Sequence, residues 1–289
     1  MNLILVIGAN GRVGQQVVTE LVHNHKIQPR LMVRDLATAK SRFGDLHDTS
    51  VEIVEGDLRQ PKSIDAAMRG VTAVFLCSPV HPDQVTYHQN VVDAAVCEGA
   101  YIVKVSGLAT YPDSFVDSGN WHSQTEELIR QTELNYTFLH PFFFSQNLAM
   151  QLKSAKEQGS IHSSVPDAAI AMVDVRDIAA VAATLLAQPQ LAARKTLILT
   201  QTSALTYPEI AEVFSEVLDK PVTFQAQTLL ETEQILKSSG LPDWHVKILM
   251  QFTDAFNEGL GSTPSSSVQD LLGKTPLTLQ ETLASQIRS

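Results

Sequence analysis

The chain has 289 residues, 44% of them hydrophobic, and a formal net charge of −10. That length suits one large α/β domain, or one domain with a small appendage, and the apolar content is enough for a substantial core. Excess acid argues against nonspecific nucleic-acid binding, which needs basic surface to neutralise phosphates, and no run approaches the roughly 18 apolar residues that span a bilayer.

The chain opens on MNLILVIG, with no basic region before the apolar run and glycines directly after it. That predicts a first strand and not a signal peptide. In GRVGQQVVTELVHNH, Val13, Val17, Val18, Leu21 and Val22 recur at helical spacing. Strands follow at RLMVR (30–34), VEIVEGD (51–57), TAVFLCS (72–78) and YIVKVSG (101–107), with helices at PKSIDAAMRG and from Gln84 to Glu98. In DSGNWHSQTEELIRQTELNYTFLHPFFF, Trp121 and His122 stand just before an acidic helix, and TFLHP reads as a sixth strand. Strands that are apolar on both faces suit a parallel sheet covered by helices on each side. The alternation predicts an α/β fold with a doubly wound open sheet.

From about Gln146 the pattern loosens. VRDIAAVAATLLA (175–187) is a helix, and TLILT (196–200) a strand returning to the sheet. The remainder, from about Ser203, reads as almost wholly helical, and Thr206 looks like an N-cap with Pro208 in the first turn. Cys77 and Cys97 fall in apolar contexts without metal or redox spacing, as expected of buried free thiols in a reducing cytoplasm. The nine histidines show no paired ligand spacing with carboxylates, although His81 and His88 flank one loop, so no metal site is expected.

IGANGRVG carries the strongest signal. Gly8, Gly11 and Gly14 lie between a strand and an amphipathic helix, where backbone must approach a pyrophosphate and any Cβ would obstruct it. The helix N-terminus then offers N–H groups to the phosphates. Roughly 20 residues further on, an acidic side chain would bind the ribose of NAD. Here Arg34 precedes Asp35, and Arg12 sits in the loop, so NADP(H) is favoured over NAD(H). Asp57 is placed to reach the adenine amino group, beside Leu58, while Cys77, Ser78 and Pro79, and Ser106 and Gly107, line the same carboxyl edge. The remaining loop residues expected at the cofactor are Asn10 and Val13.

IGANGRVG, LMVRD, HSQTEELIRQTELNYTFLHPFFFSQNL and VDVRDIAAVAATLL together resemble the NmrA-like branch of the atypical short-chain dehydrogenases/reductases. Within it the chain is most similar to bacterial NAD(P)H-dependent quinone oxidoreductases and triphenylmethane-dye reductases. The resemblance implies a Rossmann domain over 1–145, to which 170–202 returns. A smaller, mostly helical C-terminal domain of 146–169 and 203–289 would frame a substrate cleft. Dehydrogenases of the wider superfamily use a Tyr-x-x-x-Lys pair, and alignment on it puts Ser118 at the tyrosine and His122 at the lysine. Serine cannot act as that acid at neutral pH, and Tyr111 has the wrong spacing.

Quinones and cationic dyes need less proton help. The implied activity is hydride transfer from NAD(P)H to a quinone or similar conjugated acceptor, in the cytoplasm. Pro141 and Phe142 would touch the cofactor. Trp121, Phe143, Phe144 and Asn147 would line an acceptor pocket, with Met150 at its edge, unless the aromatics are ordinary core residues. His122 hydrogen-bonds the nicotinamide ribose or the acceptor oxygen, donates a proton to a bound quinone, or merely starts a helix. The other function in view is a cofactor-sensing regulatory protein without turnover, since the same branch includes such members. No nucleic-acid or membrane partner is expected, and a homodimer is left open.

Overall fold

A computed structural model describes residues 3–43 and 51–288. Its first part alternates strand and helix: β1 (Ile4–Ile7), α1 (Arg12–His23), β2 (Arg30–Val33), α2 (Leu36–Phe43), β3 (Glu52–Glu55), α3 (Pro61–Met68), β4 (Ala73–Leu76), α4 (Gln84–Glu98), β5 (Tyr101–Val105), α5 (Asp117–Arg130) and β6 (Tyr136–Pro141). Next come β7 (Phe143–Phe144), α6 (Ser145–Leu148), α7 (Leu152–Gln158), β8 (Ser160–Ser163), β9 (Ile170–Val173), α8 (Val175–Ala187) and β10 (Lys195–Leu199). The C-terminal part adds β11 (Ala204–Leu205), α9 (Tyr207–Leu218), β12 (Thr223–Ala226), α10 (Leu229–Ser238), α11 (Asp243–Asn257), α12 (Ser267–Leu272) and α13 (Leu279–Arg288).

A parallel, Rossmann-like sheet of seven strands runs in the order β3-β2-β1-β4-β5-β6-β10. Alternation along each strand sends side chains to two separate cores. On β5, Tyr101, Val103 and Val105 join the apolar faces of α1 and α8, while Ile102 joins those of α3, α4 and α5. The order reverses direction between β1 and β4, and a crevice opens there at the carboxyl ends.

Within 170–202, α8 packs on α1 and β10 extends the large sheet beside β6. β9 instead joins β7 and β11 in a small three-stranded sheet, which carries Phe143 and Phe144 away from the end of β6. A third core under α9, α11 and α13 holds the helical C-terminal part together. The expected cap of α9 is present as a reciprocal Thr206–Glu209 box, with Pro208 in the first turn. Among the described residues no helix is long and apolar enough to cross a membrane.

Two expectations need correction. α5 begins at Asp117, so Trp121 and His122 lie within the helix and not before it. Ser-Gly-Asn is a poor helix-forming run, but Gly119 lets the first turn pack on backbone: a Cβ there would lie 2.2 Å from the Ala109 carbonyl oxygen. Cys97, expected buried, lies on the exposed face of α4, whereas Cys77 is partly covered.

Candidate active site

The crevice is a cleft of about 670 Å³. Gly8, Asn10, Gly11, Arg12, Val13 and Gly14 line it from the β1–α1 turn, with Arg34 from the end of β2. Asp57 and Leu58 line it beyond β3, and Cys77, Ser78 and Pro79 beyond β4. Gly8 adopts φ +84°, and a Cβ there would fall 1.9 Å from the Cys77 carbonyl oxygen. A Cβ on Gly14 would fall 2.1 Å from the Gly8 carbonyl oxygen. The turn therefore closes only with glycine at both positions. No side chain caps α1 at Gly11, which leaves first-turn N–H groups for an anion, and the buried Asn10 Oδ1 has no hydrogen-bond partner among the described residues. These features fit a dinucleotide pyrophosphate.

The charged residues around this cradle are sorted by their own hydrogen bonds. Asp35 accepts from the backbone N–H groups of Ala37 and Thr38 (2.9 and 3.2 Å) and from the Thr38 hydroxyl (2.5 Å). It is thus occupied at the start of α2. Arg42 Nη1 donates to the Asn10 carbonyl (2.6 Å), and Arg12 Nη1 reaches Asn147 Oδ1 at 3.4 Å. The Asp57 carboxylate is gripped by Arg59, which holds it down at about 2 despite the opposing effect of burial.

Ser106, Gly107, Pro141 and Phe142, expected at the cofactor, are not among the residues that line the cleft. Ser106 is buried in a polar network, and Phe142 and Phe143 pack against the C-terminal core, where Phe143 meets Phe256 edge-on at 5.9 Å. Of the three phenylalanines only Phe144 lines the cleft. Trp121 faces Trp244 of α11, the ring centroids 6.5 Å apart. Trp244 also meets His81 (5.8 Å), which stacks on Tyr87 (5.3 Å), and both His81 and Tyr87 line the cleft. Met150 is 70% exposed.

α11 is fixed over α5 at the first turn. Lys247 Nζ pairs with Asp117 Oδ2 (2.7 Å), and Gln251 Oε1 accepts from the Asp117 backbone N–H (3.0 Å).

Beside this end of the cleft lies a buried polar network that was not expected. Strand alternation puts Lys104 and Ser106 on the α5 side of β5, and His140 on the same side of β6 as Phe138. Helical spacing brings His122, Glu126 and Arg130 to one face of α5. Lys104 Nζ donates to His122 Nδ1 (2.9 Å) and to Ser106 Oγ (2.7 Å). Ser106 Oγ donates to Glu126 Oε1 (2.5 Å), which also accepts from His140 Nε2 (2.6 Å). Arg130 closes on Glu126 Oε2 (2.9 Å), and Gln84 Nε2 from α4 donates to His122 Nδ1 (2.9 Å).

Electrostatics follow from this burial. Lys104 is fully buried, and desolvation pulls its ammonium down to about 8, against the stabilising charge of Glu126. Burial and then the Lys104 charge hold His122 neutral, well below its ordinary value. An ammonium can only donate, so Nδ1 must be the acceptor and Nε2 carries the imidazole proton. Nε2 has no hydrogen-bond partner among the described residues, and His122 keeps 9% of its surface exposed. Glu126 stays below the usual carboxylate range: burial opposes its charge, but His140, Lys104 and Ser106 outweigh it.

The sequence profile of the NmrA-like family matches residues 1–281. The chain belongs to the NmrA-like family.

Among NmrA-like relatives, the NAD(P)H azoreductase of Xenophilus azovorans is 31% identical over 275 residues, covering 95% of this chain and 92% of its own. Quinone oxidoreductase 2 of Escherichia coli (strain K12) is 24% identical over 283 residues, covering 98% of each chain. The triphenylmethane reductase of Citrobacter sp., crystallised with NADP(H), superposes with a TM-score of 0.84 at 29% identity, covering 98% and 99%.

Lys104, Glu126, His140 and Trp244 are among the site residues that sequence reading of this NmrA-like chain passed over. The signal for the first was a lysine inside the apolar strand YIVKVSG, since a buried ammonium requires partners.

Proposed function

We propose that this NmrA-like protein is an NAD(P)H-dependent oxidoreductase that reduces a quinone or a similar conjugated acceptor. What carries the reading is a neutral His122 held by buried Lys104 of β5, the strand next to β4 whose carboxyl end lines the dinucleotide cleft, with an Nε2 that has no partner among the described residues. The azoreductase relative at 31% identity supports it. When bound, the reduced nicotinamide supplies the hydride. The glycine turn and the α1 N-terminus would hold the pyrophosphate, and Arg12 and Arg34 the phosphate at the adenosine end.

NADP(H) is the preferred cofactor on this reading. Arg12, Arg34 and Arg42 surround that end of the cleft, and Asp35, the one carboxylate placed for the ribose of NAD, is committed to capping α2. Trp121, Trp244 and His81 are joined ring to ring, and His81 and Phe144 line the cleft, so a flat acceptor would stack on aromatic surface there. The ammonium next to His122 comes from a strand and not from α5. Acceptors that need a proton are therefore within reach even though Ser118 and His122 replace the tyrosine and lysine of the wider superfamily.

The test is direct. Purified protein is mixed with NADPH or NADH and a panel of quinones, azo compounds and triphenylmethane dyes, and loss of nicotinamide absorbance is followed. Turnover faster with NADPH is expected. Tight cofactor binding with no turnover of any acceptor would establish instead a sensing protein.

A further inference from the structure

We propose that Lys104, Ser106, Glu126 and His140 form a proton relay that recharges His122, so that the site delivers a proton as well as a hydride to its acceptor. This rests on the reductase reading above. The relay is a continuous chain of hydrogen bonds from the partly exposed His140 to Nδ1 of His122, whose Nε2 has no partner among the described residues. Its links are His140–Glu126 (2.6 Å), Glu126–Ser106 (2.5 Å), Ser106–Lys104 (2.7 Å) and Lys104–His122 (2.9 Å). Each joint carries a group that can give or take a proton. Lys104, Glu126 and Ser106 are otherwise closed to water, with at most 7% of their surface exposed.

The step balances as follows. A quinone gains the hydride supplied by the reduced nicotinamide, and the electron pair that this displaces rests on a quinone oxygen. That oxygen takes the Nε2 proton of His122 while Nδ1 takes one from the Lys104 ammonium, leaving a hydroquinone and a neutral lysine amine. The amine regains its proton from solvent through Ser106, Glu126 and His140. Neutral imidazole is too weak an acid to give up its proton alone, so Lys104 is what makes His122 a donor. His122 is the catalytic group, and Lys104 acts through it.

Acceptor chemistry separates proton delivery from every other role. A triphenylmethane cation needs only a hydride to reach its neutral product, whereas a quinone or an azo group needs a hydride and a proton. In the wild-type protein, quinone reduction should fall as pH rises through the Lys104 value of about 8, and reduction of the dye should lack that limb. Burial lowers this value most, Glu126 of α5 and Cys77 just beyond β4 oppose the lowering, and Arg130 of α5 adds to it; His122 of α5 and His88 of α4 also face Lys104, and His140 acts through Glu126.

Lys104→Met and Lys104→Arg test the same link, because arginine keeps the charge and the donor but does not release its proton. In both, the rate on a quinone should fall by about a hundredfold more than the rate on a dye. A readout without turnover is the ¹⁵N spectrum of His122, assigned by its loss in His122→Ala. Nδ1 should be unprotonated and Nε2 protonated at neutral pH, and the Nδ1 signal should shift in Lys104→Met. Equal losses on both acceptors, matching pH profiles, or a proton on Nδ1 would overturn the relay alone. Wild-type protein that reduces neither acceptor would overturn the reductase reading and the relay with it.

Discussion

Lys104 Nζ meets His122 Nδ1 at 2.9 Å, joining the fourth position of β5 to the middle of α5. Neither side chain is intelligible without the other. The imidazole gives the buried ammonium an acceptor, and the ammonium fixes which imidazole nitrogen holds the proton.

This burial has a measurable effect on stability. The folded Lys104 value of about 8 lies below the ordinary 10.5, so between these pH values the unfolded chain binds a proton that the folded chain lacks. Stability therefore rises with pH across that window as the charge penalty, about 3 kcal/mol below it, is relieved. The stability of Lys104→Met minus that of wild type should fall by that amount between pH 7 and pH 10.5, by urea denaturation at each pH. A constant difference would mean that Lys104 stays charged throughout.

Gly8→Ala should lower stability by about 2 kcal/mol or more, because its Cβ meets the Cys77 carbonyl and φ is positive. The thermal midpoint should drop, and added NADPH should no longer raise it. A variant with the wild-type midpoint and the wild-type NADPH response would show that the turn tolerates a side chain.

The contrast between Gly8 and Lys104 shows what sequence order reveals. The glycine turn is local: strand, glycines and helix are contiguous, and the spacing that closes the turn is visible as residue type. The alternation of apolar strands and helices was local in the same sense, and it led to the parallel sheet. The network depends on three periodicities coinciding in space: Lys104 and Ser106 at strand spacing, His122, Glu126 and Arg130 at helix spacing, and His140 on the next strand. His122 and Ser106 were singled out for other roles, while Lys104, Glu126 and His140 each looked alone like an ordinary strand or helix residue. Trp244 was harder still, since its place over Trp121 depends on the Lys247–Asp117 contact across the fold.

Arg34→Ala should weaken NADPH binding about tenfold or more and NADH binding far less, because only the former brings a 2′-phosphate. Fluorescence titration with each nucleotide reads both. Equal losses would refute the arginine as a phosphate ligand.

Trp244→Ala should raise KM for a bulky aromatic acceptor by roughly tenfold, the scale of one lost aromatic contact, and leave NADPH affinity as it was. The ring touches Trp121 and His81 but does not line the dinucleotide cleft. A fall in NADPH affinity would place it at the cofactor instead.

The relay residues Lys104, Ser106, Glu126 and His140, together with His122, all come from one β5–α5–β6 crossover, whereas Trp244 arrives from a helix more than a hundred residues later. The stretch that would move a proton is thus separate in the gene from the one that supplies Trp244, one part of the aromatic surface an acceptor would meet. Drift in the later stretch can trade one acceptor for another while the earlier one stays intact, a route by which a single scaffold diversifies without first losing its chemistry.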